Sequence, residues 1–352
     1  MSTLLQVASD TVCGNELREE IIAHCKKGSF ILKEAVTALE EHLSRTYAIN
    51  ATAVASHQSA LILALRAQGI QSGDTVGLAS SCSLIEFSAV MACGVRPYLC
   101  DLFTSGTVSA EAIPENVLET TKVLIISGPQ FQRKTLRQLR EVLSDRTHII
   151  RTDYLGSPIF EDDETMIAKL DRYTTPTLLG EAGIIFNRST NQDRVVRMLR
   201  NHGQDGRHRF VHHLLGSNSR MDDINASMIL RFHRCDGNQY FDFSSLNNIT
   251  EEVNRSGVHH CFCPSADSEL TRSFIVRTSR SEVVEDCLKA VGISVYPISH
   301  NPLKQYAFTS GLTYYPISRE DPKAESCYRL PTLWREYDKV MRFLALIRDY
   351  TQ

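Results

Sequence analysis

The 352-residue chain has one tryptophan, no apolar run near the roughly 20 residues that span a bilayer, and no block of like charge. A membrane-spanning chain is excluded on that count. The start, Met1-Ser2-Thr3-Leu4-Leu5, lacks a basic region followed by a long apolar stretch, so the expected location is the cytoplasm. The ten cysteines stand singly, without the paired spacing of a zinc site or a small secreted framework, and reduced thiols follow. With 38 basic and 41 acidic residues the net charge is -3, too small to draw the chain toward nucleic acid or an anionic membrane. Neither an internal repeat nor a low-complexity segment occurs.

What the chain does have is 42% hydrophobic residues, enough for one large or two ordinary cores, arranged in a regular alternation. Ile21, Ile22, Phe30, Leu32, Val36, Leu39 and Leu43 recur at helical spacing on either side of Gly28-Ser29, which predicts two helices. Ser59 to Ala67 is rich in helix formers and is followed by the turn Gly73-Asp74 and the apolar run Val76 to Ala79. Further helices are expected over Leu84 to Cys93 and Thr135 to Leu143. Strands are expected over Arg96 to Cys100, Lys122 to Ser127 and His148 to Thr152. Short apolar runs alternating with helices predict a mainly parallel sheet covered on both faces. Ligands in such sheets sit beyond the carboxyl ends of the strands, where Ser80, Asp101 and Asp153 lie.

After Gly183 the pattern gives a strand from Ile184 to Phe186, a helix from Gln192 to Asn201, a polar loop rich in histidine, and a long helix from Met221 to His233. Beyond Asp236 the elements shorten. Two domains are therefore expected: a large α/β domain over residues 1–236 and a smaller α+β domain over residues 237–352, with the N-terminal helices placed against the smaller one.

Several segments, in order, resemble the sugar aminotransferase family of fold-type-I pyridoxal-phosphate enzymes. They are the Gly28-Ser29 opening with Glu40 on the following helix, Ser56-His57-Gln58-Ser59-Ala60-Leu61, Gly69-Ile70, and Gly73-Asp74-Thr75-Val76. The most specific are Leu199-Arg200-Asn201-His202-Gly203 and Gly216-Ser217-Asn218-Ser219-Arg220-Met221-Asp222, followed near the C-terminus by Gly292-Ile293, His300 and Leu330-Pro331. The resemblance covers nearly the whole chain and implies a large domain with a mainly parallel sheet, a small C-terminal domain and a homodimer. It also implies phosphate contacts from Ser56, Gln58 and Ser59, an Asp153 partner for the cofactor's ring nitrogen, and Asn218 and Arg220 reaching a site at the dimer interface.

The chain departs from that family where the chemistry is done. Counting back from Gly180-Glu181-Ala182-Gly183, the position of the Schiff-base lysine falls on Thr175, which can neither form an imine nor shuttle its proton. The nearest lysine, Lys169, reaches the position only through a six-residue shift. Ser83 and its neighbours supply no aromatic to stack on a cofactor ring, His57 stands where the family has a phosphate-loop glycine, and Gly156 replaces a glutamine. These losses together lead to the expectation that no cofactor is used, with pyridoxal phosphate as the alternative.

On that reading the chain carries out cofactor-independent chemistry on a sugar-like biosynthetic intermediate. His57, His300 and Asp153 are the candidate catalytic groups, and Ser83, Thr175, Arg220, Met221 and His300 contact the substrate. Two alternatives stand beside it: a non-catalytic subunit paired with an intact homologue, and an aminotransferase or dehydratase that still binds pyridoxal phosphate. His259-His260-Cys261-Phe262-Cys263 places three metal-ligating types on one strand face, but a strand with buried thiols explains it and no metal is expected. Arg207, His208, Arg209, His212 and His213 read as a solvated loop.

Overall fold

The computed structural model describes residues 14–28, 30–79, 82–100, 114–127, 133–155, 159, 164–170, 180–208, 210–235, 261–262, 274–278, 281–293, 297–299, 313–315, 326–330 and 337–351. Two helices, α1 (Gly14–Lys27) and α2 (Glu34–Tyr47), precede strand β1 (Asn50–Val54) and helix α3 (His57–Ala67). There follow β2 (Thr75–Ala79), α4 (Leu84–Ala92), β3 (Arg96–Cys100), α5 (Glu115–Thr120), β4 (Thr121–Ser127), α6 (Arg133–Val142), β5 (His148–Tyr154), β6 (Thr165–Leu170) and β7 (Ala182–Asn187). Helices α7 (Thr190–Arg200) and α8 (Asp223–Cys235) complete this part of the chain.

Among the described residues the main sheet has eight strands in the order β1-β7-β6-β5-β4-β2-β3-β11, where β11 is Thr313–Tyr315. Strands β2 to β6 run parallel, as their short apolar runs require, and β7 is antiparallel to both β6 and β1. One face packs on α3, α4, α6 and α7 through Leu61, Phe87, Leu136, Leu139 and Val196. The other packs on α2 and α8 through Val36, Leu39, Leu43, Ala226 and Ile229. This is the doubly covered α/β sheet that the sequence predicts.

Strand β11 comes from the stretch assigned above to the smaller domain, yet it pairs in parallel with β3. The remaining C-terminal strands, β8 (Cys261–Phe262), β9 (Phe274–Thr278), β10 (Pro297–Ser299) and β12 (Ser326–Leu330), form an antiparallel sheet ordered β10-β12-β9-β8. Helices α9 (Ser281–Ala290) and α10 (Tyr337–Thr351) share a core of Val284, Leu288, Phe343 and Leu344.

The N-terminal helices were expected against the smaller domain, but the contacts described for them are with β1 and α8. The reason is a carboxylate. Asp223, fully buried at the start of α8, accepts the backbone N–H groups of Lys33, Ala35 and Val36 at 3.0 to 3.4 Å and so caps α2 from a distance in sequence. His24 Nε2 adds a 2.7 Å contact from α1 to Ser227 Oγ on α8.

Strand β1 is an edge strand whose outer side is hydrogen-bonded by side chains rather than by another strand. Ser44 Oγ and Glu40 Oε1 accept the N–H groups of Ala51 and Ala53, and Arg197 and Arg200 donate to the same two carbonyls. Glu40 takes both guanidinium groups at 2.5 Å, with Asp193 adding a second contact to Arg197. Removing one partner from such a buried network leaves charge uncompensated, at a cost of about 3 to 5 kcal/mol. Glu40→Ala should therefore lower the unfolding free energy by about that amount in urea titration; a change below about 1 kcal/mol, the range of an exposed pair, would refute the assignment.

Candidate functional site

The carboxyl end of β1 leads through Ala55 into Ser56, the N-cap of α3. Ser56 Oγ accepts the Ser59 N–H at 3.1 Å and lies 3.0 Å from Ser59 Oγ. In the first turn of α3 the N–H groups of His57 and Gln58 have no partner within the helix, as at any helix start. Two hydroxyls, two backbone donors and the positive end of a helix make this turn a cradle suited to a phosphate. The strand beneath it must be bare: a Cβ built on Gly183 would stand 2.8 Å from Ser56 O, which is why β7 has glycine there.

His57 does not obstruct the cradle. Its ring turns inward, is buried, and places Nε2 3.6 Å from Glu86 Oε1, an ion-pair approach rather than a hydrogen bond. Glu86 is buried on α4, where it accepts the Ser83 N–H as one half of a capping pair and the Thr152 hydroxyl at 2.6 Å. Burial alone would raise the Glu86 carboxyl, but the His57 ring, the Ser83 N–H and the Thr152 hydroxyl outweigh that and hold it at about 2. One carboxylate thus ties together the starts of α3 and α4 and the end of β5.

Asp153 lies next to Thr152 at the end of β5 and is buried. Its Oδ2 accepts from Arg151 Nη1 at 3.1 Å, and Arg151 itself is only 1% exposed. The sequence reading missed both Arg151 and Glu86. An arginine two residues before an aspartate on a buried strand must share its face, and Ser83-x-x-Glu86 is a capping pattern; each was a usable signal.

The segment from Gly216 to Asp223 runs across the outer side of this region. Ser219 O accepts the Ala55 N–H at 3.0 Å, Arg220 bridges Val54, and Asn218 bridges Asn201. The Asn218 side chain accepts from Arg220 Nε at 2.9 Å. Gly216 is obligatory, since a Cβ there would meet Gly203 N at 2.2 Å. Met221, expected to touch substrate, is instead buried in the core with α2 and α8, because its backbone pairs with Leu32 and turns the side chain inward.

Ser56, His57, Gln58, Ser59, Ser83 and Asp153 are therefore gathered around the ends of β1, β2 and β5, while Arg220 and Asn218 border Val54 and Ala55. Thr175, His300, Gly156, Ser80, Asp101, Arg209, His259, His260 and Cys263 lie outside the described residues. Cys261 is in β8. Lys169 sits inside β6, between Tyr154 and Gly183 in register, and the adjacent Leu170–Ala182 pair holds it there without the six-residue shift. His208 and His213 lie 3.5 and 3.2 Å from Asp205 on an exposed loop.

The arrangement has a helix start suited to an anion at the end of β1 and a buried carboxylate at the end of β5, with β7 and β6 between the two strands. That is the ground plan of fold-type-I pyridoxal-phosphate proteins, and the fit is good at both points. The family model for the DegT/DnrJ/EryC1/StrS aminotransferase family matches residues 12–237, and the chain belongs to that family.

A curated relative, UDP-N-acetyl-3-dehydro-alpha-D-glucosamine 3-aminotransferase of Acidithiobacillus ferrooxidans, is 24% identical over 364 residues, 94% of each chain. Among solved structures, ntda from Bacillus subtilis with bound cofactor PMP superposes with a TM-score of 0.76 at 17% identity, covering 98% of this chain and 84% of that one. GDP-4-keto-6-deoxy-D-mannose-3-dehydratase of E. coli with bound hydrated PLP gives 0.73 at 16%, covering 93% and 96%. The expectation of no cofactor is corrected by these findings: the family is one of aminotransferases, and proteins of the same fold carry PMP and PLP.

Glu86 gives this region a pH signature. A carboxyl held below its unfolded value of about 4.3 contributes stability that is complete above that value and is lost as pH falls toward 2, here on the order of 3 kcal/mol. In denaturant titrations from pH 7 down to about 2.5, the gap between the native chain and Glu86→Gln should be widest above about pH 5 and close on acidification. Parallel curves would contradict the assignment.

Proposed function

We propose that the chain is a pyridoxal-phosphate-dependent enzyme that modifies a keto sugar carried on a nucleotide. The observation that carries this reading is the joint survival of the Ser56–Ser59 cradle and of Asp153, tied to each other through Glu86. The relatives support it: one acts on UDP-N-acetyl-3-dehydro-alpha-D-glucosamine and another is a GDP-4-keto-6-deoxy-D-mannose dehydratase. Loss of the family's lysine at Thr175 changes how the cofactor is attached, not whether there is a place for it.

The division of labour follows from the residues. The Ser56 and Ser59 hydroxyls and the His57 and Gln58 N–H groups hold the phosphate, with the α3 dipole adding to the attraction. Asp153 would hold the cofactor's ring nitrogen by accepting a hydrogen bond from it. The cofactor, when bound, supplies an electron sink for breaking bonds next to an amine-bearing carbon. Glu86 and His57 fix the relative positions of cradle and carboxylate, so that a ligand spanning the two meets a preset distance.

With threonine at position 175 the cofactor is held by these non-covalent contacts alone. Titration with pyridoxal phosphate should give a protein-bound absorbance band between about 330 and 430 nm, and borohydride treatment followed by mass analysis should find no lysine carrying it. No band at millimolar cofactor would refute the reading; an adduct on Lys169 would refute the non-covalent attachment.

The same reading includes a homodimer. Phe210 and Leu215 are 77% and 89% exposed on the loop that leads into Asn218, a cluster that a second copy would cover. Light scattering of the purified chain should give about twice the monomer mass, and Phe210→Ser with Leu215→Ser should shift it toward the monomer. A native monomer at micromolar concentration would exclude it.

A further inference from the structure

Arg151 is the charged group that the proposed function leaves without a role. It is fully buried in the middle of the sheet, with Ile126 of β4 and Met166 of β6 as its register neighbours and Ala168 beside Asp153. A guanidinium stays protonated at any pH a protein tolerates, so it needs an anion beside it in such a place. The strand's period of two puts Asp153 on the same face, and the Nη1–Oδ2 contact of 3.1 Å supplies that anion. A buried pair of this kind is not a general aid to stability, since its desolvation cost offsets most of the attraction. Its effect is on what the carboxylate can still accept.

We infer that Arg151 is a positioning residue that sets the acceptor strength of Asp153, so that a ring nitrogen docked on this carboxylate holds its proton less tightly than a lone carboxylate would make it. The inference rests on the cofactor reading above. Any cation accepted by Asp153 stands about 5 Å from the guanidinium, since each is one hydrogen bond from the same carboxylate. At an effective dielectric of about 20, a positive charge at that distance lowers the proton affinity of the ring nitrogen by about two pH units. A lone carboxylate would do the reverse and keep the nitrogen protonated throughout. Arg151 does not cancel the nearer carboxylate, but it takes back about two units of the affinity that Asp153 adds and so brings the nitrogen's titration down toward the working range.

The test is the nitrogen chemical shift of pyridoxal phosphate labelled with nitrogen-15 in the ring, bound to the full chain and followed from pH 6 to 9. In the native protein the signal should move between the pyridinium and neutral pyridine positions within that range. In Arg151→Met the midpoint should lie about two units higher, while Arg151→Lys, which keeps the charge, should stay near the native value. A purely structural role for Arg151 would change thermal stability in both variants and leave the midpoint unmoved. A native signal fixed at the pyridinium position up to pH 9, or a midpoint in Arg151→Met equal to the native one, overturns the inference while leaving the cofactor reading standing. Should Arg151→Met fail to fold, the native titration decides alone. The absence of any bound-cofactor signal in the native protein overturns both.

Discussion

The outer edge of β1 is the constraint on which the site depends. An edge strand presents unpaired N–H and C=O groups that must find partners or water, and here Ala51, Ala53 and Ala55 find them in Ser44, Glu40, Arg197, Arg200 and the Ser219 carbonyl. The arrangement works only because the strand is built from small residues. Asn50-Ala51-Thr52-Ala53-Val54 lets α2 come close enough for a glutamate on its second turn to reach the backbone, and the two arginines of α7 then neutralise that glutamate. Ser56 follows directly on Ala55, the last of these contacts, and α3 starts at His57. The cradle is therefore placed by a charge network on the outer edge of β1 together with the apolar core under α3.

The same network explains why the most specific sequence motif looks as it does. Arg200 belongs to Leu199-Arg200-Asn201-His202-Gly203, and Ser219 to Asn218-Ser219-Arg220-Met221-Asp222-Asp223. The first motif supplies a guanidinium to β1, the second a carbonyl to Ala55 and a carboxylate, Asp223, to the start of α2. Gly203 and Gly216 allow the two segments to cross, with φ of 82° at Gly203 and no room for a Cβ at either. A stretch that the family resemblance marks as part of an interface is, within one chain, the brace that holds the site together.

The sheet was legible where apolar runs were long and bounded by turn residues: Arg96–Cys100 is a strand over the expected residues, and β4, β5 and β7 extend theirs by one to two residues at an end. The strands β1 and β6 were not legible. Asn-Ala-Thr-Ala-Val alternates only through small residues and Thr-Met-Ile-Ala-Lys-Leu does not alternate, neither has a β-branched run, and their strand state comes from the partners beside them. In the site, the cradle and Asp153 could be placed from the resemblance, but their partners could not. Glu86 lies 29 residues from His57 and 66 from Thr152, a separation no local pattern can bridge. Reading His57 as a lost glycine suggested a blocked cradle, whereas the buried carboxylate opposite it turns the ring away.

The correction over the cofactor has the same root. Each departure from the family, taken alone, reads as a missing contact, and summing them suggested a dismantled pocket. The structure shows that one departure, His57, packs its ring beside the buried Glu86 carboxylate, and that the retained Asp153 has Arg151 beside it. Losing either member of a buried charge pair strands the other at a cost of several kcal/mol. A pocket freed of its ligand would more easily fill with apolar side chains, which need no partner. On the proposed function, the Arg151–Asp153 pair at the carboxyl end of β5 acts on proton affinity at the one carboxylate that would face the ring.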